Sequence, residues 1–164
     1  MNTSLRISLL SNLWGLVQRT SYATAQELYG VAITARIEEL YVYTLDKFLT
    51  ASLPCHTKTT EAETGIITYE FPPKEECIRH MLYEVLLKNR TTFTRFIINT
   101  YCTLDEDSMT PVTDLWAFIT HWAREQDIPV AYIPVALSTL SAELEELGYT
   151  KVKQGFWGFA IADH

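Results

Sequence analysis

Between residues 4 and 19, Leu5, Leu9, Leu13, Leu16 and Val17 recur at helical spacing, while Ser8, Asn12 and Arg19 fall off that face. The pattern predicts an amphipathic helix. A second helix opens on Thr24-Ala25-Gln26-Glu27, a capping box in which each end residue satisfies the other's backbone donor. Its apolar positions run on through Leu28, Val31, Ala35, Ile37, Leu40, Tyr41, Leu45 and Phe48, so it is expected to reach about Leu49. Gly30 weakens it slightly. The broad apolar surfaces of these two helices suit a domain core or a dimer seam.

The pattern breaks at residues 52–65. Pro54 opens the break, and Thr57 to Gly65 offers almost nothing to bury, which predicts a long loop or linker. Ile67, Tyr69 and Phe71 then alternate with Thr68 and Glu70, as in a short strand. Pro72-Pro73 ends it and opens a helix over Ile78, Met81, Leu82, Val85 and Leu86. After a turn at Asn89-Arg90-Thr91, a shorter helix carries Phe93, Phe96, Ile97 and Tyr101. Residues 103–109, with Asp105-Glu106-Asp107, read as a solvated acidic loop ahead of a helix N-terminus, where negative charge is favoured.

The last third has a fuller grammar. Thr110 is a sound N-cap with Pro111 at the first helical position, followed by Leu115, Phe118, Ile119 and Trp122 on one stripe. Ile128 to Pro134 is extended by its prolines. Leu137, Leu140, Leu144 and Leu147 mark the next helix, and Gly148 its C-terminal cap. Tyr149–Gln154 and Phe156–Ile161 can pair across Gly155. Helix, extended piece, helix, hairpin is the order of a winged helix, a fold that mostly binds nucleic acid or protein.

From about residue 93 to 161 stand Thr94-Arg95-Phe96-Ile97, Cys102, Asp114-Leu115-Trp116, Trp122, Pro134, Leu140, Leu144, Gly148-Tyr149 and Gly155-Phe156-Trp157-Gly158. On these residues the stretch resembles the small winged-helix domain at the C-terminal end of phage, plasmid and poxvirus-type primase-helicases. It implies a nucleic-acid- or replication-associated module, often from a mobile element. The family's ATPase is not implied, because the chain has no GxxxxGK loop to cradle phosphates.

Charge changes that picture. The chain of 164 residues carries a formal net charge of −7, and the field of an acidic protein opposes approach to DNA. The helix that would read bases carries Glu143, Glu145 and Glu146 and no basic residue, leaving Lys151, Lys153 and Gln154 on the wing as phosphate contacts. Trp116, Trp122, Phe156 and Trp157 could stack on single-stranded bases, but aromatics at this spacing are more often core; Trp157 is the least expected to be buried. Cys55, His56, Cys77 and His80 could in principle close a tetrahedral zinc site, yet their spacing matches no common finger, and no metal or cofactor is expected. Three widely spaced cysteines do not make a secreted disulfide framework. No apolar run reaches the roughly 18–20 residues that span a bilayer. There is no HExxH, GxSxG or CxxC, so no enzyme is expected.

The expectation is a mainly α protein: a helical region with dimerisation potential at 1–52, a polar loop or linker at 53–65, and a helical region at 66–164. That last region ends in a winged helix over 110–162 with a small β-hairpin. Its expected role is a cytoplasmic, non-enzymatic nucleic-acid-associated adaptor or regulator, touching DNA weakly through Lys151, Lys153, Gln154 and Trp157. The alternative is a protein-binding module whose Glu143, Glu145 and Glu146 dock on a basic partner or mimic DNA, with no nucleic-acid contact and no membrane.

Overall fold

A computed structural model describes residues 2–30 and 38–162. The chain divides into two compact units, Met1–Val85 and Leu86–His164.

In the first unit, Asn2 Oδ1 accepts from the Leu5 amide at 2.7 Å and starts α1 (Thr3–Arg19). Ile7, Leu9, Leu10, Leu13, Trp14, Leu16 and Val17 are all buried within this one chain, so the apolar surface that suits a dimer seam packs its own core. After β1 (Tyr22–Thr24), the expected capping box opens α2 (Ala25–Tyr29). Gly30 ends that helix rather than merely weakening it: at φ +74° it adopts the left-handed conformation that costs glycine least. The expected continuation over Val31, Ala35 and Ile37 lies outside the described residues. α3 (Glu38–Ser52) then buries Val42, Leu45, Phe48 and Leu49.

The polar stretch after α3 is not a linker. Thr57–Thr60 forms β2, every residue exposed, paired antiparallel with β3 (Ile67–Glu70), and β1 closes the other side in the order β1–β3–β2. Tyr69 is the fully buried anchor, its hydroxyl donating to Asp46 Oδ1 at 3.0 Å. Lys58 meets Asp46 Oδ2 at 2.9 Å, tying β2 to α3. α4 (Lys74–His80) passes without a break into a π-helical stretch, Met81–Leu86.

The second unit begins with α5 (Arg90–Tyr101), capped by Asn89 Oδ1 accepting from the Thr92 amide at 2.9 Å. β4 (Cys102–Thr110), α6 (Val112–Glu125), a 3₁₀ turn (Val130–Tyr132), α7 (Leu137–Glu146), β5 (Thr150–Val152) and β6 (Gly155–Ile161) follow. The sheet order is β4–β6–β5, antiparallel throughout. Phe156 and Phe159 of β6 are fully buried, and α5 and α6 pack on that strand. Around them Phe93, Phe96, Tyr101, Phe118 and Trp122 meet ring to ring at centroid separations of 5.4–6.4 Å. The Trp122 indole N–H donates to Tyr101 Oη at 2.9 Å.

The mainly α expectation with one small hairpin is therefore corrected: the protein is α+β, with two three-stranded antiparallel sheets among the described residues. The expected hairpin forms, but it turns on Lys153-Gln154, with Gly155 inside β6 and paired with Val152, and a third strand, β4, runs through what reads as an acidic loop. Cys102–Asp105 pairs with Gly158–Ile161, the register shifts, and Met109-Thr110 resumes against Phe156-Trp157. Residues 106–108 are looped out as a bulge. Asp105 closes it, accepting from the Asp107 amide at 3.0 Å and the Ser108 hydroxyl at 2.7 Å, bonds that also hold its carboxyl below the usual carboxylate range. Thr110 belongs to this strand instead of capping α6; its hydroxyl donates to the Phe159 carbonyl at 2.6 Å, and Pro111 takes the N-cap position.

Gly155 is where β4 and the hairpin come closest. A Cβ there would fall against the Thr110 carbonyl oxygen, with the Thr110 carbonyl carbon at 2.7 Å and Pro111 Cα at 2.8 Å, all backbone that cannot swing aside. Gly155→Ala should destabilise the protein by about 2–3 kcal/mol, at the upper end for overpacking. Urea unfolding checks this; a loss below about 0.5 kcal/mol would mean the strands are not this close.

Candidate partner-binding surface of the C-terminal unit

α7 is amphipathic with period 3.6, and its inner residues are Leu140, Glu143 and Leu144. Glu143 is thus not available for docking: it is 2% exposed, and its Oε2 accepts from Arg90 Nε at 2.8 Å. Its Oε1 and the Arg95 Nε are buried without a hydrogen-bond partner. The helical pattern already hinted at this burial, because Glu143 lies three residues after Leu140, on the stripe that faces the core. Glu145 and Glu146 are exposed, as expected of a docking face, but Glu145 is shared with the hairpin: Lys151 Nζ stands 3.7 Å from its Oε1. At that distance and exposure the pair adds little stability.

The hairpin brings Lys151, Lys153, Gln154 and Trp157 onto exposed positions of two paired strands and their connecting turn. Trp157 is 40% exposed, whereas Trp122 and Phe156 are core and Trp116 is half-buried. Of the aromatic side chains weighed as stacking platforms, Trp157 alone is an exposed ring on the same hairpin as Lys151 and Lys153.

The outward face of α7 carries Leu137, Ser138, Thr139, Ala142, Glu145 and Glu146. It contains none of the Arg, Lys, Asn or Gln side chains that make bidentate contacts with base edges. The turn leading into it presents apolar groups: Val130 is 61% exposed, Tyr132 58% and Leu137 43%. Sequence reading missed this cluster. Its signal is Pro129-Val130-Ala131-Tyr132, whose 3₁₀ turn points Ile133 inward while its own side chains stay outside. The unit as a whole has six Lys and Arg against ten Asp and Glu.

Three of the four residues weighed for zinc contact backbone carbonyls, and Cys55 is exposed. His56 Nδ1 lies 2.8 Å from the Leu53 carbonyl, Cys77 Sγ donates to the Pro72 carbonyl at 3.2 Å, and His80 Nε2 lies 3.4 Å from the Ala51 carbonyl. Burial pushes the Cys77 thiol up to about 11 and the Cys102 thiol to about 12. Among the described residues no group of three or more His, Cys, Asp or Glu is arranged to hold a metal ion. His121, outside on α6, meets Glu125 one turn on at 2.6 Å. No helix among the described residues is long and apolar enough to cross a membrane. No family model, curated protein or solved structure matches the chain.

The Arg90–Glu143 contact is asymmetric, with Arg90 54% exposed and Glu143 buried, so the two partners should respond differently to removal. Arg90→Met leaves a buried carboxylate unpaired and should cost about 2 kcal/mol, less than a fully buried pair because water reaches the guanidinium site. Glu143→Leu leaves an arginine that water can solvate and should cost under about 1 kcal/mol, as should the double variant. Urea melts of the four proteins check this; an Arg90→Met protein as stable as the wild type would contradict it.

Proposed function

We propose that the C-terminal unit is a non-enzymatic docking module that engages a protein partner through the α6–α7 turn and the outer face of α7. The observation that carries this reading is the coincidence of exposed Val130, Tyr132 and Leu137 with a helix face lacking every strong base-reading side chain. Apolar anchors beside a neutral-to-acidic face fit a partner offering an apolar pocket rimmed by basic groups, which Glu145 and Glu146 would meet. A cytoplasmic setting fits the three free thiols of the whole chain.

A second reading has its own observation. Lys151, Lys153, Gln154 and Trp157 share the exposed hairpin, and a wing of this kind suits weak contact with phosphate and one stacked base, the role of a replication-associated or mobile-element adaptor. Two lysines, one of them facing Glu145, supply little counterion release against ten acidic residues in the same unit.

Affinity capture from cells of the source, comparing Val130→Asp/Leu137→Asp with Lys151→Glu/Lys153→Glu, separates the two. The protein reading expects a nuclease-resistant partner bound by the wild type and the lysine variant but lost from the apolar variant. Salt-sensitive DNA binding that disappears in the lysine variant and persists in the apolar one would overturn it in favour of the wing.

A further inference from the structure

The first unit holds a cavity of about 410 Å³ between the loop after α3, the turn after β3 and the outer face of α4 with its π-helical extension. That volume lies within the range of roughly 300–1,000 Å³ typical of small-molecule sites. Leu53, Pro54, Pro72 and Tyr83 give it largely apolar walls. Set into them are charges of opposite sign, Glu76 and Arg79, with the Cys55 thiol also on the lining. The π-helix beneath is a second observation: such segments are rare and recur at functional sites. Here it buries Met81, Leu82, Val85 and Leu86 while leaving Tyr83 and Glu84 exposed on the cavity side.

Glu76 and Arg79 are three residues apart on one helix, so their side chains start as neighbours at roughly 5–6 Å. Yet neither forms an ion pair within 4 Å among the described residues. Two adjacent, uncommitted, opposite charges beside an apolar chamber complement a molecule with the same layout: an ammonium and a carboxylate on one carbon, attached to an apolar group. We propose that this cavity binds a small zwitterionic, amino-acid-like ligand, with Arg79 taking the carboxylate, Glu76 the ammonium, and Leu53, Pro54, Pro72 and Tyr83 the apolar side chain. Arginine's planar fork suits a carboxylate, and a charge-assisted bond to each end of the ligand fixes its orientation over the apolar wall. The proposal does not rest on the reading of the other unit.

The cavity carries its own reporter. Cys55 is exposed, whereas Cys77 is buried and Cys102 half-buried with a raised pKa. Iodoacetamide near pH 8 should therefore alkylate Cys55 first in the full-length protein, read by intact and peptide mass spectrometry. L-tryptophan should slow that reaction saturably, by roughly threefold or more. Tryptamine and indole-3-propionate, each lacking one charge, should need about tenfold higher concentrations for the same protection. Glu76→Gln and Arg79→Gln, both at exposed positions, should each lose the preference for tryptophan, while slow alkylation of Cys77 reports that the fold is intact. Equal protection by all three probes on the wild type would overturn the zwitterion assignment. No protection by tryptophan up to its solubility limit would overturn the site.

Discussion

The pairing of β4 with β6 is the contact on which the C-terminal unit depends. It is the most extensive element pairing among the described residues, and it joins the segment just after α5 to the end of the chain. A pairing so distant in sequence costs loop entropy before it returns any contact, so something must hold it. Phe156 and Phe159 supply the hold by burying completely against α5 and α6, and Thr110 locks the register with its hydroxyl on the Phe159 carbonyl. Gly155 lets the strands meet where no side chain would fit. α7 turns Leu140, Glu143 and Leu144 inward, and Leu137, Ser138, Thr139, Ala142, Glu145 and Glu146 remain exposed.

The same constraint explains how the buried acid is tolerated. Glu143 sits on the stripe that Leu140 and Leu144 define, and a carboxylate there would ordinarily be costly. Arg90, at the first position of α5, reaches it while keeping its own side chain half in water. The contact therefore ties the start of one helix to the middle of another across the unit. It also removes one of the three glutamates that gave α7 its acidic character, so the exposed face is milder than its composition suggests.

Much of this architecture is legible in the sequence where burial has a period. α1, α5, α6 and α7, the capping box of α2, β3 and the β5–β6 hairpin all follow from apolar spacing, caps and glycine placement. The strands that escape notice are polar ones. Thr57-Lys58-Thr59-Thr60 is wholly exposed, so no alternation marks β2. β4 hides behind Asp105, Glu106 and Asp107 because its acidic residues occupy or adjoin an edge bulge, where nothing demands an apolar side chain. For the candidate surface, Lys151, Lys153, Gln154 and Trp157 do fall together on the hairpin. Glu143 does not join Glu145 and Glu146, since its azimuth on α7 faces the core. Val130 and Tyr132 give no periodic signal, as a 3₁₀ turn between prolines sets their exposure, and Leu137 reads as one of the apolar positions of α7 although it is 43% exposed. The Glu76–Arg79 cavity is less visible still, because its walls come from segments that only the β3 hairpin and α4 bring together.

The claim most exposed to test is the closure of the C-terminal sheet by β4. Interstrand nuclear Overhauser effects in the full-length, isotope-labelled protein measure it directly. Cross-peaks joining Thr103-Leu104 to Phe159-Ala160, and Met109-Thr110 to Phe156-Trp157, with residues 106–108 skipped, are the predicted result. A β6 strand showing such contacts to β5 alone, with residues 102–110 in rapid amide exchange, would contradict the account of how this unit is built.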